Sequence, residues 1–365
     1  MSEATFDDIC LLVRLVRGDS GRIERGLTTP SASLGRLAEA AVAGGFSVVL
    51  LRALQAHGLQ THVSTAHVEA LEARCDRQRA RSRLLLEALP QLSDKFSSAG
   101  LPLLLLKGPY LASRFYGDID AREFVDLDLL VPGASRARAC RLLESAGYTR
   151  RSRVVLGESL TSRFVHGFDF ALGGANVDLH WCLSRHPSIH MDESGLWQGR
   201  QSYPVAGRVY DVLGDGHEVV FEALSLLRDI ERGRPKIKNV LDLIQVASAI
   251  DASIDWDGLL DRGRTNGTFG PLVNVLGLCL DGADAHDLAP RLSAALARHD
   301  DRLVRARPSG SPLGFAPAAL TIGNKGWSAR VHDTPAITWF LWWALSLPFR
   351  MAVHRRPPRP SRAAD

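Results

Sequence analysis

Lysine is almost missing from this chain of 365 residues: it stands only at positions 95, 107, 236, 238 and 325, so nearly all the positive charge is arginine. A lysine inside a motif therefore stands out. Cysteine is scarce too. Cys10, Cys75, Cys140, Cys182 and Cys279 are odd in number, widely spaced and form no CxxC pair, which argues against a zinc site or a disulfide framework and fits a reducing cytoplasm. The N-terminus, MSEATFDDIC, has no basic stretch followed by an apolar run and does not read as a secretory signal. No repeat at solenoid spacing is evident, and no unbroken apolar run reaches the roughly 20 residues that span a bilayer. The nearest approach is 335–353, PAITWFLWWALSLPFRMAV, followed by the basic tail HRRPPRPSR. Pro348 interrupts it. A terminal helix packed on the protein is the expectation, with weak membrane contact through 335–353 as the alternative.

What is present is ordinary globular material: 45% hydrophobic and 23% charged residues, in a chain long enough for more than one packed unit. The formal charge of +4 favours the approach of an anion such as a nucleotide; no stable nucleic-acid partner is expected. Apolar spacing of three and four predicts helices through 1–97, in LGRLAEAAVAGGFSVVLLRALQ and VEALEARCDRQRARSRLLLEALPQL, and again from 215 to 304, in HEVVFEALSLLRDIERG and KIKNVLDLIQVASAI. The segment 305–365 reads as linker, terminal apolar helix and basic tail.

Between the helical regions, over 98–214, the texture changes. Leu101 to Leu106 suits a buried strand, and Lys107-Gly108-Pro109 ends it and opens a short helix, PYLASRFYG. EFVDLDLLV reads as a second strand, ASRARACRLLESAGY as an amphipathic helix, and RFVHGFDFAL and ANVDLHWCL as a hairpin turned at Gly173-Gly174.

Side chains two apart on a strand share a face, so Asp126 and Asp128 project together while Leu127 and Leu129 turn to the core. Paired carboxylates repel unless a cation lies between them, and hard oxygen ligands suit Mg²⁺ or Mn²⁺ together with substrate phosphates. A metal-assisted displacement at phosphorus wants a third carboxylate, and Asp178 in NVDLHW is the candidate, as ligand or as base. Lys107-Gly108 lies where a strand passes into a helix, a place that attracts phosphate. Arg122 has two readings: a phosphate partner, or a surface partner of Glu123 or Asp120. His166 and His180 offer contact with a metal or substrate, but a lone histidine on a strand is more often a hydrogen-bonded structural residue, and that reading is favoured.

At LLLLKGPYLASRFYGDIDAREFVDLDLLV the chain resembles the nucleotidyltransferase superfamily with a polymerase-β-like palm, and within it a poorly characterised bacterial family whose signature runs LKG…Y…R-x-x-x-DLDLLV. The likeness continues through VDLHW and, more loosely, RDIERGRPKIKNVLDLIQVA. It implies an α+β fold: a small palm, a mixed sheet with helices, flanked by N- and C-terminal helical regions. It further implies transfer of a nucleoside monophosphate from an NTP, ATP among them, to an unidentified acceptor, with Gly108 as phosphate-loop glycine, Lys107 and Arg122 beside the nucleotide, and Asp126, Asp128 and Asp178 as the metal-binding acids. The superfamily usually follows that glycine with Gly or Ser. Here Pro109 removes one N–H donor, and Lys107 is expected to compensate. The alternatives are a toxin-like RNA or protein nucleotidyltransferase, and a non-catalytic nucleotide-binding partner or regulatory module in a biosynthetic cluster.

Overall fold

The computed structural model describes residues 6–17, 31–152, 154, 157–232 and 236–299. The expected linker and terminal helix of 305–365, and with them the membrane-contact alternative at 335–353, lie outside the described residues. Among those residues no helix is long and apolar enough to cross a membrane.

Helical spacing is realised as α1 (Phe6–Arg17), α2 (Ser31–Gly44), α3 (Ser47–Ala56) and the 34-residue α4 (Thr65–Ser98). Ser64 caps α4 by accepting from the His67 amide. Along α4 the buried residues Leu71, Cys75, Gln78, Ser82, Leu85, Leu89, Leu92 and Phe96 recur at steps of four and three, one stripe facing the rest of the protein. Its charge is not all solvated. Arg74 reaches the Glu123 carboxylate at 3.2 Å, Arg81 donates to the Val125 carbonyl at 3.0 Å, and Gln78 donates to the Phe124 carbonyl.

The chain then gives β1 (Leu104–Leu105), α5 (Pro109–Phe115), β2 (Leu127–Leu130), α6 (Arg136–Ser145), β3 (Thr149–Arg150), α7 (Glu158–Thr161), β4 (Gly167–Leu172) and β5 (Ala175–His180). These strands form one sheet in the order β1-β2-β5-β4-β3. β2 and β5 run parallel and the other neighbours antiparallel, the mixed sheet of an α+β fold. The hairpin at Gly173-Gly174 is where the sequence places it, both glycines at positive φ. The run Leu101–Leu106 pairs as a strand only at Leu104 and Leu105, since Pro102 has no N–H to give and the chain turns at Lys107, although the Leu106 amide still donates to the Asp128 carbonyl at 2.9 Å.

Strand alternation sends Leu127, Leu129, Val177, Leu179, Phe168 and Phe170 to one face, all at most 1% exposed; each contributes about 1.5–3 kcal/mol by leaving water. α4 packs against the sheet at β5. The other face carries Asp128, Asp178 and His180. After α8 (Glu193–Gln198) comes a hairpin that the sequence pattern does not announce, β6 (Gln201–Val205) and β7 (Arg208–Val212). Its outward residues are mixed and Pro204 sits within it, so alternation is weak. The C-terminal region is α9 (Asp215–Glu231), α10 (Ile237–Ile250), α11 (Trp256–Asn266), α12 (Phe269–Ala283) and α13 (Pro290–Ala297). α9 lies against the acid-bearing face through Phe221, 6.2 Å from the His180 ring. α1 packs on α12, where Cys10 Sγ donates to the Gly282 carbonyl at 3.2 Å and Arg14 meets Asp284 at 2.8 Å.

Candidate active site

Register builds the centre of the site. In the parallel pair Asp128 stands opposite Asp178, and in the hairpin Asp178 stands opposite Asp169, so three carboxylates cross three adjacent strands on one face. His180 follows Asp178 by two and shares that face. Its Nε2 lies 3.2 Å from Asp128 Oδ1 and 3.4 Å from Asp178 Oδ2. One ligand atom from each of Asp128, Asp178 and His180 falls within 4.8 Å of the others, a grouping that could hold a metal ion. The carboxylates are not sealed in: the Asp128 and Asp178 side chains are 17% and 30% exposed, against 3% for His180.

Electrostatics mark the cluster as under-neutralised. Burial, then the neighbouring Asp128 charge, push Asp126 up to about 6. Burial lifts Asp178 to about 7, with His180 opposing and Asp128 adding to the rise. Asp128 goes the other way: burial alone would raise it, but the His180 hydrogen bond and charge hold it below the ordinary carboxylate range. Burial would likewise strip the proton from His180, yet Asp178 and Asp128 outweigh it and keep the ring protonated beyond its usual pH. When protonated, the ring places a positive charge between the two acids. Its Nδ1 is buried without a hydrogen-bond partner among the described residues.

Asp126, expected inside the strand with Asp128, precedes the first paired residue and is outside the 4.8 Å group, though close enough for Asp128 to raise it. Its position is set from both sides. The loop 122–125 is held to α4 by the Arg74, Gln78 and Arg81 contacts. On the other side, Arg122 donates from Nε and Nη2 to the two Asp242 oxygens, both at 2.7 Å, with Arg122 and Asp242 only 3% and 0% exposed. Tyr116 adds a third bond to Asp242 at 2.8 Å. Arg122 is therefore turned neither outward to solvent nor to Glu123 or Asp120 side chains; its fork belongs to α10.

Gly108 has φ +62° and ψ −121°, backbone that a side chain resists. A Cβ there would lie 3.3 Å from the Asp126 carbonyl, so the glycine lets the start of α5 approach the acid strand. Lys107 Nζ is 2.9 Å from Glu222 Oε2 and 4.8 Å above the Phe221 ring. Glu222 has a buried companion, Glu218, whose two oxygens find no partner among the described residues; burial and the Glu222 charge raise Glu218 well above the carboxylate range. Lys238, at the start of α10, is lowered to about 8 by burial and by Arg122, with Asp242 and Asp126 opposing. His166 stacks on His180 at 5.2 Å.

A profile of the uncharacterised nucleotidyltransferase family matches residues 30–284, most of the chain. The chain belongs to that family. The α+β fold, the transferase class and the resemblance read from LKG and DLDLLV stand accordingly. No curated protein matches this nucleotidyltransferase. Among solved structures it is similar to the antibiotic-resistance factor ANT(2'')-Ia, at 15% identity over 61% of this chain and 99% of that one, with a TM-score of 0.34, a superposition too loose to carry inference. Two residues of the nucleotidyltransferase's acid face escaped the sequence reading. Asp169 is not among the candidates, and for His180 the structural reading is favoured over contact with a metal or substrate.

Proposed function

We propose that the protein transfers a nucleoside monophosphate from an NTP to an acceptor, with Asp126, Asp128 and Asp178 as the acids of the centre. The observation that carries this reading is the register pairing of Asp128 with Asp178, next to Asp126, on a face open to solvent. Mg²⁺ or Mn²⁺ fits the carboxylate oxygens of this face, hard donors of which two, Asp126 and Asp178, are raised by burial and by the neighbouring Asp128 charge. When bound, such an ion neutralises triphosphate oxygens and the charge that develops at phosphorus.

The chain's own residues do the rest. Asp126 and Asp128 hold the ion-bound triphosphate, with the Gly108 turn bringing the start of α5 beside them and Lys107, paired with Glu222 at 2.9 Å, flanking that turn. Asp178, raised towards neutrality, accepts the acceptor's proton as the acceptor atom bonds to the α-phosphorus and the bond to the departing pyrophosphate breaks. Arg122 acts through Asp242, fixing the loop that ends in Asp126.

The test is pyrophosphate release from labelled NTP with Mg²⁺ or Mn²⁺ and a lysate as acceptor source, followed by finding what becomes labelled. Asp126→Asn and Asp128→Asn should each abolish release. Turnover retained in either variant overturns the reading. NTP binding without any release by the native chain instead assigns a non-catalytic nucleotide-binding module.

A further inference from the structure

Beside Asp178 the acid face opens into a solvent-open pocket between the start of β4, the segment after β5 and the C-terminal half of α9. Asp178 and Asp169 form its rim, and Leu183, Leu224 and Leu227 give it an apolar wall. Three guanidinium groups, Arg185, Arg228 and Arg232, line the same space.

Two of these charges are uncompensated. Arg228 donates to His166 Nε2 at 2.7 Å and to Ser225 Oγ at 3.0 Å, both neutral partners, since a ring nitrogen that accepts from a guanidinium carries no proton. Arg185 donates to the Val165 carbonyl at 3.3 Å. No carboxylate pairs with either among the described residues. Arginine that is oriented by neutral partners and left without an anion suits planar recognition of carboxylate or phosphate. Once Asp178 faces a divalent cation, the wall keeps three guanidiniums against Asp169 and Glu231.

We propose that this pocket seats the acceptor, and that the acceptor is an organic anion: an apolar body against the leucines, carrying a carboxylate or phosphate bound by Arg185 and Arg228, with its nucleophilic group towards Asp178. The proposal rests on the nucleotidyl-transfer reading for the word acceptor. The anion site itself is measurable without turnover.

The experiment titrates the full chain, with Mg²⁺, by calorimetry against phenyl phosphate and benzoate, with benzyl alcohol and benzylamine as neutral and cationic matches. Saturable binding of at least one anion is expected, with the neutral and cationic compounds silent; which anion binds better tells phosphate from carboxylate. Arg185→Gln and Arg228→Gln should each weaken it by about tenfold or more, while a Mg²⁺-NTP titration of the same variants stays at the native affinity and reports that they are folded. Equal binding of all four compounds, or an undiminished anion affinity in the double variant, overturns the proposal. So does competition between the bound anion and NTP, which would make the pocket part of the triphosphate's own site. Asp126→Asn separates the two readings: it should lose Mg²⁺-NTP and keep the anion, so a native chain that binds no NTP but still binds the anion removes the transferase reading alone.

Discussion

Replacing Asp242 by asparagine should destabilise the protein by roughly 3–5 kcal/mol, because the substitution keeps shape and leaves the Arg122 guanidinium buried without a counter-charge. The size follows from the geometry. Two bonds of 2.7 Å join groups that are 3% and 0% exposed, and unit charges about 4 Å apart at an effective dielectric near 20 attract by about 4 kcal/mol. At about 2.1 cal/mol/K of unfolding entropy per residue, the 365 residues of this chain turn that loss into a fall in Tm of roughly 4–7 °C. The assay is thermal and urea unfolding of native, Asp242→Asn, Arg122→Met and the double variant Arg122→Met/Asp242→Leu. The double variant should regain most of the loss, since a well-packed apolar pair replaces a buried ion pair at little cost. Burial alone would raise Asp242, but the Arg122 charge and hydrogen bonds hold it below the carboxylate range. Its contribution is therefore fully present above the unfolded pKa, near 3.9, and is lost only as pH falls through the depressed folded value. An Asp242→Asn variant within about 1 kcal/mol of the native protein, or a double variant no more stable than the single ones, would refute the reasoning.

Two further outcomes follow from the site. Gly108→Ala places a methyl group 3.3 Å from the Asp126 carbonyl in a backbone region closed to side chains, so unfolding should show a loss of about 1–3 kcal/mol together with weaker Mn²⁺ binding; unchanged Mn²⁺ affinity would mean that the turn does not position Asp126. With Asp126 and Asp178 raised to about 6 and about 7, both bind protons at mildly acid pH that a cation must displace, so Mn²⁺ affinity should climb as pH rises from 5.5 to 7.5, and titrations in two buffers should show proton release; a flat profile contradicts those shifts.

The outward direction of Asp128 was legible because strand alternation and core demand act over a few residues: Leu127 and Leu129 go inward, so Asp128 goes out. The helices were legible for the same reason. Asp169 was recoverable from the turn already recognised, since counting outward from Leu172 opposite Ala175 brings Asp169 onto Asp178. His180 needed only the two-residue step from Asp178. Arg122 was different. Its partner lies 120 residues away, and no local pattern announces which helix will carry the opposing charge, although an aspartate among Val240, Leu241, Leu243 and Ile244 is itself a sign of a buried ion pair. The β6–β7 hairpin was hidden by weak alternation, and Asp126 slipped out of the ladder because tertiary clamps from α4 and α10, not strand propensity, decide where β2 begins.

The seating of α1 on α12 ties the first described helix to one near the far end of the described chain. A trimmed version that starts at the palm would bare the apolar flank of α12 to water and drop the Cys10 and Arg14 contacts. Gains in expression sought by shortening the front of the protein should then be looked for elsewhere, because those residues serve as the lid of a distant helical layer.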